Sequence, residues 1–185
     1  MNRVARLCCV AYIITLLPAA VQAQGRTPRT DSAAVGGEAG LFLPRADDLK
    51  SGLDLFGFYE YYLAPRTSLR LGLEWMNPDY DEDRDPDASV RMIRIGGDMV
   101  YNWEGGTIHP FAGAGLGVYI IQPRNNGQNE GDSESKFGGS LFGGLEFFTN
   151  RTTSVKAEAR YHVVPNVNGF NPDGLSLTVG LKQYF

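Results

Sequence analysis

Between residue 33 and the end of the chain, apolar and polar residues alternate one by one in a series of runs, and within the apolar band the charges fall on one side of the alternation. A period of two sends successive side chains to opposite faces of an extended strand. The pattern therefore demands a β-sheet with one aliphatic and one charged face. Eight such runs are predicted, over about Ala33–Leu43, Gly52–Leu63, Ser68–Met76, Val90–Trp103, Ile108–Ile121, Phe137–Phe148, Ser154–Val163 and Leu175–Phe185. Short connections at 64–67, 104–107 and 149–153 alternate with longer ones at 44–51, 77–89, 122–136 and 164–174. Short turns at one end and long loops at the other predict an all-β fold, an eight-stranded antiparallel up-and-down barrel. An even strand count brings both ends of residues 33–185 to the short-turn side.

Which face is aliphatic decides what surrounds the barrel. One parity collects Leu53, Leu55, Gly57, Tyr59, Tyr61 and Leu63 in the second run and Leu69, Leu71, Leu73 and Trp75 in the third. In the last it collects Leu175, Leu177, Val179, Leu181, Gln183 and Phe185, and in all eight runs, counted from Ile93 in the fourth, this face carries no charge. The opposite parity carries Glu38, Asp54, Glu60, Arg70, Glu74, Arg94, Asp98, Glu146, Lys156, Glu158, Arg160 and Lys182. A barrel in water would be aliphatic within and charged without. Seven acids and five bases can line an interior only as a paired network, and an arginine facing mid-bilayer costs about 2–4 kcal/mol. The aliphatic face is therefore expected to meet lipid. Aromatic residues near the strand ends form the expected interfacial belts, with Tyr59, Tyr61, Tyr101, Trp103, Phe147 and Phe185 at the short-turn end and Trp75 and Tyr161 towards the other.

The first 23 residues read as a cleaved signal peptide. Arg3 and Arg6 precede an apolar stretch from Leu7 to Ala20, and Val21-Gln22-Ala23 forms a small-x-small cleavage site. Residues 24–32 read as a flexible periplasmic lead-in and 33–185 as the barrel domain. Both cysteines, Cys8 and Cys9, lie in the signal, so disulfides are not expected to hold the mature chain. The net charge of −4, which becomes more negative once the signal arginines are lost, removes the electrostatic drive for nucleic-acid binding.

Three stretches resemble the eight-stranded outer-membrane β-barrel superfamily that includes OmpA-like, OmpX-like and opacity-type proteins. They are Pro110-Phe111-Ala112-Gly113-Ala114-Gly115-Leu116-Gly117, the strand–turn–strand from Gly143 to Tyr161, and the terminal Leu177-Thr178-Val179-Gly180-Leu181-Lys182-Gln183-Tyr184-Phe185. The resemblance implies a multi-pass barrel in the outer membrane of a Gram-negative-type bacterium, in contact with outer-membrane lipid and lipopolysaccharide. It also implies that Leu177, Val179, Leu181 and Phe185 form the signal read by the barrel-assembly machinery, although Gln183 stands where an aromatic is common. It defines architecture and leaves activity open, because such barrels differ in their loops.

Several features invite a chemical reading. Interior charges can form a gated pathway, but eight strands leave an interior just wide enough for side chains, which favours a plugged lumen. Lys156, Glu158, Arg160 and Lys182, on neighbouring strands, are candidates for one network, with Glu38 within reach. The segment 78–88 carries Asp79, Asp81, Glu82, Asp83, Asp85 and Asp87. Such a loop can hold Ca²⁺, yet Arg84 occupies the glycine position and Val90 the bidentate-glutamate position of an EF-hand register, so a solvated external loop is expected. Gly113, Gly115 and Gly117 lack nucleotide-fingerprint spacing and read as space for lumen side chains. His109 and His162 face inward on strands that are not neighbours, a weak basis for a metal site. In lipid A deacylases with a similar barrel a His-x-Ser pair acts near the last strands; here His162 is followed by Val163 and Val164, and no nucleophile–base pair is legible. Asn150-Arg151-Thr152 matches a glycosylation sequon but falls in a tight turn. No cofactor is expected. The sequence favours a non-enzymatic role in envelope structure or in surface interaction and adhesion through the long loops, ahead of a small permeability pore and of a lipid-modifying enzyme.

Overall fold

The computed structural model describes residues 28–46, 49–79, 88–103, 106–125, 128–129, 133–167 and 171–185. Nine strands follow in chain order: β1 (Ala33–Pro44), β2 (Gly52–Ala64), β3 (Thr67–Asn77), β4 (Ala88–Asn102), β5 (Ile108–Asn125), β6 (Gln128–Asn129), β7 (Glu134–Phe148), β8 (Thr153–Val163) and β9 (Gly174–Tyr184). Eight of them close a barrel in which every pairing is antiparallel. β1 pairs with both β2 and β9, and β4 with β5 completes the ring. Closure removes all sheet edges within the band, which is the condition for a sheet to cross hydrocarbon.

The two-residue period sets the sidedness. Leu71 is 66% exposed and Val179 58% exposed on the outside, whereas Arg70 and Lys182 are each 1% exposed. Leu177, Val179, Leu181 and Phe185 all lie on the outer surface. At the short-turn end Tyr101 and Trp103 stack edge to face at 5.0 Å, and Tyr59 lies 6.4 Å from the Phe185 ring. Trp75 and Tyr161 are only half exposed.

Space inside comes from glycines opposite large side chains. A β-carbon on Gly36 would meet the Phe58 ring, one on Gly113 the Phe142 ring, and one on Gly115 the Asp98 carboxylate and the Arg94 guanidinium. Large and small residues thus interlock across strands.

One side of the barrel is taller than the sequence pattern predicts. β5 runs on to Asn125 and β7 begins at Glu134, inside the segment expected to be loop, and β6 pairs with the end of β5. Hydrophobic alternation stops where the lipid stops, but the ladder continues because backbone groups still need partners. The ladder to β8 begins only at Gly139, so Glu134–Gly138 of β7 extend past it. Within 24–32, Ser32 donates to the Arg29 carbonyl and the Asp31 amide to the Tyr62 carbonyl, which docks this end against β2. Residues 1–23, read above as a signal peptide, and Asp81, Glu82, Asp83, Asp85 and Asp87 of the acidic segment lie outside the described residues. Asp79 is exposed and bridges to Ser89.

Candidate functional site: a charged lumen

All twelve inward-parity charges face the lumen and are 0–5% exposed. They form three levels. Nearest the short turns, Glu60 accepts from Ser68 and from Arg70 Nε at 3.2 Å. Lys182 Nζ lies 3.1 Å from Glu60 and 3.3 Å from Glu146, and donates to the Tyr62 hydroxyl at 2.7 Å. Ser154 and Tyr184 donate to the same Glu146 oxygen.

Glu158 is the hub of the middle level. It takes Arg70 at 2.8 Å, Arg160 at 2.7 Å, and Lys156. Lys156 also reaches Glu38 at 2.6 Å, and Arg160 reaches Asp98 at 2.9 Å. Arg94 closes the chain onto Asp98. Aromatic rings face these cations: Arg160 lies 4.2 Å from the Phe142 centroid, Lys156 4.5 Å from Phe111, and Arg70 4.7 Å from Phe58. A cation without water gains from ring quadrupoles as well as from carboxylates. Lys182, a candidate partner of Lys156, Glu158 and Arg160, touches none of them directly; it joins them through Glu60 and Arg70.

The third level, towards the long loops, is looser. Arg94 Nη1 stands 3.6 Å from Glu74, and neither side of that contact makes a hydrogen bond. Both Asp54 oxygens are buried without a hydrogen-bond partner. His162 Nε2 lies 3.0 Å from Ser176 Oγ and 3.4 Å from Glu74, and its Nδ1 lies 3.0 Å from the Tyr119 hydroxyl.

Two clusters of buried side chains flank these levels among the described residues. Ala34, Tyr62, Phe148 and Tyr184 cluster at the short-turn end. At the other end Phe42, Met76, Val90, Met92, Tyr119, Ile121 and Val164 pack with Leu49 and Val167, which the long connections contribute.

The proximity of His162 and Ser176 was not legible in the sequence, because they are brought together only by the β8–β9 register, where Arg160 pairs with Ser176. This is a correction to the expectation that no serine meets a base. It does not complete a relay, since Glu74 approaches the same ring nitrogen as Ser176 and the opposite nitrogen faces Tyr119. The two histidines do not meet. His109 lies at the short-turn end, 2.9 Å from the Gly106 carbonyl and tilted against the Phe148 ring, while His162 packs against Phe42 at the other. Among the described residues no group of three or more His, Cys, Asp or Glu is placed to hold a metal ion. The Asn150 side chain accepts from the Thr152 and Thr153 amides and braces its turn.

An eight-stranded barrel with an aliphatic exterior and a salt-bridged interior defines the class of outer-membrane β-barrels. The chain belongs to the outer membrane protein beta-barrel domain family, whose model matches residues 9–182. No curated protein matches it. Among solved structures, Neisserial surface protein A is similar at 15% identity, with 83% of this chain and 97% of that one covered and a TM-score of 0.67. The N-terminal barrel of Pseudomonas aeruginosa OprF is similar at 14% identity, with 85% and 100% covered and a TM-score of 0.61. Ail, the attachment invasion locus protein of Yersinia pestis, is similar at 13% identity, with 84% and 99% covered and a TM-score of 0.59. At these identities the likeness is one of fold.

Proposed function

We propose that this protein is a closed barrel that works at its outer surface, in envelope structure and in adhesion, and not as a conduit. The observation that supports this reading is the packing of the lumen: among the described residues, ion pairs cross it and a cluster of buried, mostly apolar side chains lies towards each end. The taller side supports a contact role. Glu134–Gly138 extends beyond the β8 ladder at the long-loop end, and such an edge takes a partner strand by main-chain pairing. The unfinished His162–Ser176 arrangement, buried against the long-loop cluster, speaks against the lipid-modifying reading. In this account residues 1–23 direct export to a Gram-negative-type outer membrane. The Leu177, Val179, Leu181 and Phe185 face is then the assembly signal, and the long connections, the acidic one included, face outward.

Planar-bilayer recording tests the reading. Purified barrel is expected to give no steady channel, and stable openings that pass sugars would overturn it. On cells, proline placed in turn at Ser135 and at Lys136, one of which turns its amide to the edge beyond the β8 ladder, is expected to reduce attachment in at least one variant while leaving a heat-modifiable, folded band; unchanged attachment in both would remove the taller side from the account.

A further inference from the structure

The outer face changes character in steps of two residues where β4 and β5 leave the apolar band. Trp75 pairs with Ile93, and Ile93 with Ile120, in one apolar row. One step towards the long loops, Arg91 stands opposite Gln122. One step further, Ser89 stands opposite Arg124 and bridges to Asp79. Strand alternation puts Arg91 on the same outward side as Ile93, while its neighbours Val90 and Met92 are buried in the lumen cluster. On β1, β2, β8 and β9 the outward run instead remains apolar to its last residues, such as Leu43, Leu53, Val163 and Leu175.

Arg91 is half-buried, its Nε is shielded from solvent, and that nitrogen has no hydrogen-bond partner. Asp79 is its diagonal neighbour in the register, bridged through the backbone to Ser89. A guanidinium held against a lipid-facing surface is costly unless an anion meets it. Its planar fork matches phosphate with paired hydrogen bonds. The tryptophan–isoleucine row below marks the border where headgroups begin.

We propose that Arg91, with the Gln122 amide beside it, binds a phosphate group of an outer-leaflet glycolipid. The proposal rests on the membrane reading of the outer face. It gives the β4–β5 side of the barrel a specific lipid contact that the other strands lack, at the foot of the taller side.

The test uses the chain folded into dodecyl maltoside micelles. The readout is the temperature at which the compact, SDS-resistant form is lost. Three additives are titrated: bis-phosphorylated lipid A, the same lipid dephosphorylated, and inorganic phosphate. The wild type is expected to be stabilised by the phosphorylated lipid alone. Arg91→Gln is expected to weaken the apparent affinity about tenfold, the scale of one charge-assisted hydrogen bond. Arg91→Lys keeps part of the response, and Arg151→Gln, in the β7–β8 turn, behaves as wild type. Equal responses from Arg91→Gln and wild type, or from the dephosphorylated lipid, overturn the proposal. A shift reproduced by inorganic phosphate assigns the residue to free anions and overturns the lipid assignment. Absence of any compact form in detergent is a different failure: it removes the membrane reading, and the proposal with it.

Discussion

Removing the Glu158 carboxylate tests whether the lumen network holds the barrel together. Glu158 serves three cations, Arg70, Lys156 and Arg160, yet each keeps a second carboxylate: Glu60 for Arg70, Glu38 for Lys156 and Asp98 for Arg160. The loss is therefore that of one partner in a buried pair and not a threefold multiple of it. For Glu158→Leu the expected destabilisation is about 3–5 kcal/mol. Glu158→Gln, which keeps volume and hydrogen bonding, is expected to cost less. Adding Lys156→Met to the Glu158→Leu background should lower stability further, because Lys156 still pairs with Glu38 and its removal leaves that buried carboxylate without its cation. The assay is urea unfolding in lipid vesicles, followed by tryptophan fluorescence. A Glu158→Leu variant within about 0.5 kcal/mol of wild type, the size of an ordinary surface substitution, would refute the reasoning. So would a double variant more stable than the single one.

The third level of the lumen should respond with the opposite sign. Asp54 is buried with both oxygens unpartnered, so Asp54→Asn is expected to leave stability unchanged or raise it, whereas Asp98→Asn, which takes charge from the pairs with Arg94 and Arg160, lowers it; a loss of similar size at both positions in the same unfolding assay contradicts this. Gly115→Ala pushes a methyl into the Asp98 and Arg94 side chains and should cost about 1–3 kcal/mol. Gly57 faces outward with nothing within 4 Å of an added β-carbon, so Gly57→Ala should be neutral or slightly stabilising; the two glycine variants are compared by the temperature at which the compact band is lost, and equal effects would remove the interlocking argument.

The sidedness of the barrel was legible because hydrocarbon forbids charge: the parity that holds Leu71 and Val179 is free of it, and the structure exposes both. The glycine spacing at 113, 115 and 117 was legible as space, but not its occupants, because Phe142, Asp98 and Arg94 arrive from other strands. The pairings were not legible for the same reason. Arg70 and Glu158 lie 88 residues apart and meet only because the barrel closes. The length of β5 escaped the pattern since Gln122, Pro123 and Arg124 lack apolar alternation, though the ladder carries them. The apolar cluster at the long-loop end was hidden because Leu49 and Val167 sit in connections, where single apolar residues give no periodic signal.

The central claim is that lipid surrounds the aliphatic face. Single Leu71→Cys and Val179→Cys variants of the chain lacking residues 1–23, folded into vesicles and carrying a fluorescent label, test it most directly when quenched in turn by brominated acyl chains and by aqueous iodide. A Ser133→Cys label, at the exposed start of β7, is the aqueous control. Labels at 71 and 179 are expected to be quenched by bromine and protected from iodide, with the reverse at 133. Iodide quenching at 71 and 179 without bromine quenching would place those side chains in water and contradict the account.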